Sequence, residues 1–194
     1  TNGSIAPQFS LYAQSAEGVT GFMVDRHAAG LKVGADERKT GQRGSPTNEL
    51  ALDGVRVARE AVIGYEGHGQ VNALETLNVG RCGLAAVAGA ISRKIMEEAR
   101  RNIPASDERD VLLGEAAAIQ FGSESVAYHL IGLFDRPHES VRMESAIAKF
   151  LCSEDIHEGL TLVELAFGPV GQTERFLLEK ARRDARILNI YEGT

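Results

Sequence analysis

The hydrophobic period of the chain changes once along its length, and that change calls for two different kinds of module. Phe9, Leu11 and Ala13 alternate with Ser10, Tyr12 and Gln14, and short apolar runs follow at 22–24, Leu31–Val33 and 50–57. Gly18, Gly21, Gly30, Gly34, Gly41, Gly44 and Gly54 punctuate these runs. Alternate side chains of a strand face opposite sides of a sheet, so a period of two broken by turn residues predicts an antiparallel sheet or barrel. From about Val71 the spacing becomes helical. Leu74, Leu77, Leu84, Val87 and Ile91 fall on one stripe, with Gly80, Gly83 and Gly89 where a neighbouring helix could approach closely. Helical patterns continue over 111–134 and 141–167, and a fourth starts near Glu174. Met143, Ile147, Phe150 and Leu151 share one face of the third; Phe176, Leu177, Ile187, Leu188 and Tyr191 lie in the fourth.

Pro104 ends the first helical pattern, and Ser106, followed by Arg109 and Asp110, offers a polar restart. Strands followed by helices, without strand–helix–strand alternation, indicate an α+β chain. The expected architecture is part of an antiparallel β-barrel or sheet domain followed by an up-and-down four-helix bundle. The glycine order at Gly64, Gly67 and Gly69 does not make a dinucleotide fingerprint, and this stretch reads as a linker turn. The domains are therefore expected at 1–66 and 67–194.

Composition narrows the functions. With 194 residues, 43% of them hydrophobic and 25% charged, the chain can bury a core and is not a disordered tail. No apolar run is long enough to span a bilayer. A net charge of -6, no tryptophan and 6% aromatic residues argue against nucleic acid as a partner, since phosphates need concentrated positive charge and bases need stacking platforms. Cys82 and Cys152 stand far apart in apolar stretches and read as small core residues of a reducing compartment. No spacing among the five histidines and the cysteines builds a metal site. The charged run Arg182, Arg183, Asp184 and Arg186 reads as a solvated helix face with an internal ion pair.

One carboxylate stands out. Glu192 follows Ile187, Leu188, Ile190 and Tyr191 and precedes Gly193. A carboxylate held against apolar surface is less readily charged than one in water, which suits a general base working near neutrality. A glycine beside it lets backbone and ligand approach closely.

The closing Tyr191-Glu192-Gly193-Thr194, preceded by Arg183, Asp184 and Arg186, resembles the catalytic end of the acyl-CoA dehydrogenase family. Other stretches agree in the family's order. Thr1-Asn2-Gly3 resembles the flavin strand of its middle domain, and Gly41-Gln42-Arg43-Gly44-Ser45-Pro46-Thr47 resembles a later part of it. Asn78-Val79-Gly80-Arg81 is similar to the opening of its C-terminal helical domain, and Glu144-Ser145-Ala146-Ile147-Ala148-Lys149 resembles the very-long-chain branch. The resemblance implies a partial middle β domain and a helical domain of an FAD-dependent enzyme that dehydrogenates a fatty acyl-CoA. It implies Glu192 as the base that removes the α-proton, and hydride transfer from the β-carbon to flavin N5. By the same resemblance Tyr191 and Gly193 line the thioester pocket, Asn78 and Arg81 contact the CoA arm, and Thr1 and Thr194 lie by the flavin. Implied partners are an electron-transfer flavoprotein and further copies of the chain in a homo-oligomer.

Some family features are missing. Arg101-Asn102-Ile103-Pro104 stands in place of an Arg-x-x-Phe-Gly flavin contact, and Leu165 stands where a flavin-contacting glutamine is expected. Two alternatives follow, a flavin-poor scaffold member of the family and an acyl-CoA oxidase. The chain opens at Thr1 without a targeting segment and closes directly after a helical pattern, so it is expected to be a piece of a longer protein of the bacterial cytoplasm or mitochondrial matrix.

Overall fold

The computed structural model describes residues 1–136 and 140–193, and the chain divides into two compact units, Thr1–Thr76 and Leu77–Thr194. In the first unit β1 (Gln8–Ser15) and β2 (Gly18–Asp25) form an antiparallel hairpin in register from Gln8 opposite Asp25 to Ser15 opposite Gly18. The two-residue loop between them is closed by Ser15, whose Oγ lies 2.8 Å from Gly18 O and 2.9 Å from Thr20 Oγ1. A further strand, β5 (Val62–Ile63), pairs with the other edge of β2, while β3 (Leu31–Val33) and β4 (Leu50–Leu52) make a separate two-stranded sheet. The expected sheet is present, and among the described residues it is not closed into a barrel.

The glycine turn after β5 is tied to this sheet. Gly67 has φ +79° and donates its N–H to the buried Thr20 Oγ1 at 2.9 Å, a hydroxyl that also meets Ser15 Oγ and Gly18 O. A side chain at Gly67 would meet the Glu17 carbonyl, so both its conformation and its surroundings require glycine. Phe9 and Val24 form the apolar centre of this unit.

The second unit is a bundle of four helices: α1 (Gly69–Asn102, of which 69–76 belong to the first unit), α2 (Asp107–Phe134), α3 (Arg142–Phe167) and α4 (Leu177–Ala185). None of the described helices is long and apolar enough to cross a membrane. Pro104 ends α1 as expected, and Ser106 caps α2 by accepting from Arg109 N at 3.1 Å. The core joins Leu84, Ile95, Leu113, Leu130, Ile156, Leu160 and Leu178 with small residues such as Ala85, Ala88 and Ala148. Each large aliphatic side chain buried there contributes about 1.5–3 kcal/mol, and the small residues let the helices approach.

Three sequence expectations need correction. The large apolar face of α3 is not the buried one, since Met143 is 72% and Phe150 63% exposed, and Ile147 and Leu151 are exposed as well. The buried face is instead made of Ser145, Ala148, Lys149, Cys152, Ser153, Ile156, Leu160 and Val163. In α1, Val87 is exposed although Leu84 is buried. The last helix starts at Leu177 rather than Glu174, where the Leu177 N–H is met by Glu98 Oε2 of α1 at 3.0 Å, and Leu178 rather than Leu177 enters the core. It ends at Ala185, and a 3-10 turn over Arg186–Asn189 carries the chain to the terminal segment.

Candidate active site

The site is built where the terminal segment meets α1 and α3. The Arg186–Asn189 turn is closed by Ile187 O, which accepts from Ile190 N at 2.9 Å and Tyr191 N at 3.1 Å. Leu188 is fully buried and Tyr191 packs half-buried against the core, so apolar contacts fix the approach to Glu192. The backbone then turns left-handed at two successive residues, Glu192 at φ +60° and Gly193 at φ +90°. For glutamate this conformation costs about 1–2 kcal/mol, which the surroundings must offset. Arg81 of α1 supplies part of that offset by donating from Nε to Glu192 O at 3.0 Å.

The half-buried Glu192 side chain reaches back over α1. Gly80 leaves the space it occupies: a methyl group there would stand 2.6 Å from Glu192 Cδ and 2.8 Å from Oε1. The close approach expected at Gly80 is therefore made by a carboxylate rather than a neighbouring helix. At Gly89 the close neighbour is Glu124 of α2, and Gly83 faces open space.

Asn78 and Arg81 sit well inside α1, which begins at Gly69. Asn78 Oδ1 lies 2.9 Å from the hydroxyl of Ser145, a fully buried residue of α3. Lys149, one turn further along α3, is 7% exposed and donates from Nζ to Asn189 O at 2.9 Å. Burial holds the Lys149 ammonium below its ordinary pKa, the nearby Arg81 charge adds to the effect, and Glu154 opposes it.

Asn78, Arg81, Tyr191, Glu192 and Gly193 thus all fall in the second unit, and Arg81 directly meets the Glu192–Gly193 turn. Thr1 is exposed in the first unit, and Thr194 lies outside the described residues. The sequence reading noted Gly80 only as a place for helix contact, and it missed Lys149 and Asn189. The visible signal for Lys149 was a lysine placed one turn from the buried Ser145 and next to Ala148 on a core face.

FAD, the cofactor that the resemblance implies, can be tested against the residues present. Thr1 offers an accessible hydroxyl, whereas Leu165, where an amide is expected, is 62% exposed and offers no polar side-chain atom. Among the described residues named for the flavin, Thr1 alone offers a polar side chain, so the fit to the group is slight.

Residues 67–194 match the family model for the acyl-CoA dehydrogenase C-terminal domain. An acyl-CoA dehydrogenase of Bacillus subtilis is 31% identical over 209 residues, covering 100% of this chain and 55% of the relative. The very long-chain specific acyl-CoA dehydrogenase of Mus musculus mitochondria is 30% identical over 216 residues, covering 100% of this chain and 32% of the relative. The crystal structure of an acyl-CoA dehydrogenase complexed with FAD from Bacillus anthracis superposes with a TM-score of 0.87 at 25% identity, covering 100% of this chain and 38% of that one. The chain thus spans between a third and just over half of the length of these relatives.

Proposed function

Because the chain belongs to the acyl-CoA dehydrogenase family, we propose that it supplies the proton-abstracting side of the α,β-dehydrogenation of a fatty acyl-CoA, with Glu192 as the base. The observation that carries this reading is the seat of the Glu192 carboxylate. It rests over Gly80, at a left-handed turn whose carbonyl Arg81 holds and which Tyr191 anchors in the core. A base must be fixed relative to a carbon acid, because a misplacement of about 1 Å can cost on the order of a hundredfold in rate.

An α-proton beside a thioester is weakly acidic, and negative charge develops on the thioester oxygen as the proton leaves. Preorganised donors stabilise that charge best, and expulsion of water by the acyl chain strengthens every such interaction. Glu192 takes the proton on its carboxylate. Tyr191 and Gly193 line the thioester, and Arg81 with Asn78 meets the polar CoA arm, where a guanidinium suits phosphate oxygens. Thr1 would be among the residues that hold FAD, and the bound flavin would supply a hydride acceptor for the β-carbon. An electron-transfer flavoprotein is the expected acceptor of the electrons, and a homo-oligomer the expected assembly.

The test is Glu192→Gln in the whole protein. The expected result is a retained flavin spectrum that a long-chain acyl-CoA no longer bleaches under anaerobic conditions. Bleaching at the wild-type rate would remove the base assignment. Peroxide release by the wild-type protein in air would identify an oxidase, and a purified protein without a flavin spectrum would identify the scaffold alternative.

A further inference from the structure

The turn that leads into Glu192 is held by more side chains than its own backbone requires. Asn189 closes the 3-10 turn, at the kind of helical end whose last carbonyls lack partners within the helix. Three side chains of α3 converge on this one residue. Lys149 Nζ donates to Asn189 O at 2.9 Å, and Asn189 Nδ2 donates to Glu154 Oε1 at 2.5 Å. Asn189 Oδ1 is then the acceptor for His157 Nε2 at 2.5 Å, which makes that ring nitrogen the donor.

Lys149 is the costly member of the group. A buried ammonium must be matched by partners, and the positions around it on the same face of α3 are filled by Ala148, Cys152 and Ile156. Packing alone would be served by an apolar side chain of similar length. A second cation, Arg81 of α1, grips Glu192 O three residues further on. Two positive side chains from two helices thus hold the main-chain carbonyls of residues 189 and 192. Tyr191 lies within that span, and the left-handed turn begins at its last residue.

We propose that Lys149 is a positioning residue for Glu192. By fixing Asn189 O while Arg81 fixes Glu192 O, it sets where the carboxylate sits over Gly80. This inference rests on Glu192 being the base, and it adds a residue on α3 that acts only through Asn189.

The experiment measures kcat and KM for a long-chain acyl-CoA in the whole protein, with flavin content and thermal midpoint recorded for each variant. Lys149→Met is expected to lower kcat by about a hundredfold, the scale of a 1 Å misplacement, with KM within about twofold and flavin content unchanged. Lys149→Arg, which keeps a donor cation, is expected to recover at least tenfold of that loss, on the order of half the effect on a logarithmic scale. Asn189→Ala keeps the carbonyl that Lys149 holds but removes the anchors from Glu154 and His157, and is expected to lower kcat by about tenfold. A wild-type kcat in Lys149→Met would overturn the proposal. So would a loss of activity that merely tracks loss of flavin-loaded protein. Should Lys149→Met fail to fold, Lys149→Gln, whose shorter side chain stops short of Asn189 O, takes its place: a wild-type kcat there overturns the proposal and a selective fall in kcat supports it. Glu192→Gln is measured alongside. If it still turns over, the base reading fails, whereas an inactive Glu192→Gln beside an unaffected Lys149→Met sinks only the role of Lys149.

Discussion

Gly80→Ala separates the stability of the bundle from the placement of its carboxylate. Within a helix interior, alanine in place of glycine stabilises by about 1 kcal/mol. The added methyl would overlap the Glu192 carboxyl group, with Oε2 the nearest atom and Cδ at 2.6 Å, whereas ordinary van der Waals contact begins at 3.4 Å, so the carboxyl group must retreat by slightly more than ~1 Å. The atoms that move are the far end of a flexible side chain, and leaving a preferred rotamer costs about 0.5–1.5 kcal/mol. The two terms nearly cancel, so the thermal midpoint of the whole protein should stay within a few degrees of wild type, about the shift expected for 1 kcal/mol or less. The rate should not be spared. A carboxylate displaced by about an ångström should slow anaerobic flavin bleaching by roughly a hundredfold, measured by stopped-flow with saturating acyl-CoA. Wild-type bleaching in a folded Gly80→Ala protein would refute the reasoning, because it would mean that the seat over Gly80 is not where Glu192 works.

Two further outcomes follow from other parts of the structure. Ser106→Ala removes the cap of α2 and should cost about 1 kcal/mol, seen as a lower urea midpoint with an unchanged slope. Cys152 is fully buried, and its thiol is pushed from 9.0 up to about 11 by burial, while Cys82 is only half-buried. A thiol-specific reagent should therefore modify Cys82 in the native protein and reach Cys152 only on unfolding. Because the folded thiol keeps its proton above the pH at which the unfolded one loses it, its contribution is complete below pH 9 and is lost as pH rises from 9 to about 11. Cys152→Ser should flatten that alkaline part of the stability profile.

Much of the architecture was legible in the sequence because it follows from local rules. The change of period marked the sheet and the bundle, Leu31–Val33 is a strand, and Pro104 with Ser106 marks the break between α1 and α2. What escaped depends on distant partners. β5 has only two residues, too few to show alternation, and exists because Val62 and Ile63 find Phe22 and Gly21 across the sheet. The face of α3 was misleading for a different reason. Met143, Ile147, Phe150 and Leu151 point outward, and the buried face mixes Ile156, Leu160 and Val163 with small and polar residues whose partners lie on other elements, such as Cys152 Sγ with Ser123 O of α2 and Lys149 Nζ with Asn189 O. In the site, Tyr191, Glu192 and Gly193 were legible as a motif, and Asn78 and Arg81 as its counterparts on α1. The contacts that bring Gly80, Lys149 and Asn189 to them span between 40 and 112 positions, which no local pattern records.

The central claim is that the Glu192 carboxylate removes the α-proton. Its most direct test is the exchange of α-hydrogen for deuterium in a substrate analogue that cannot lose a β-hydride, followed by NMR in heavy water with the whole protein. Wild type should wash deuterium into the α-position only, and Glu192→Gln should leave the analogue unlabelled over the same period while still binding it. Labelling by Glu192→Gln at the wild-type rate would contradict the account.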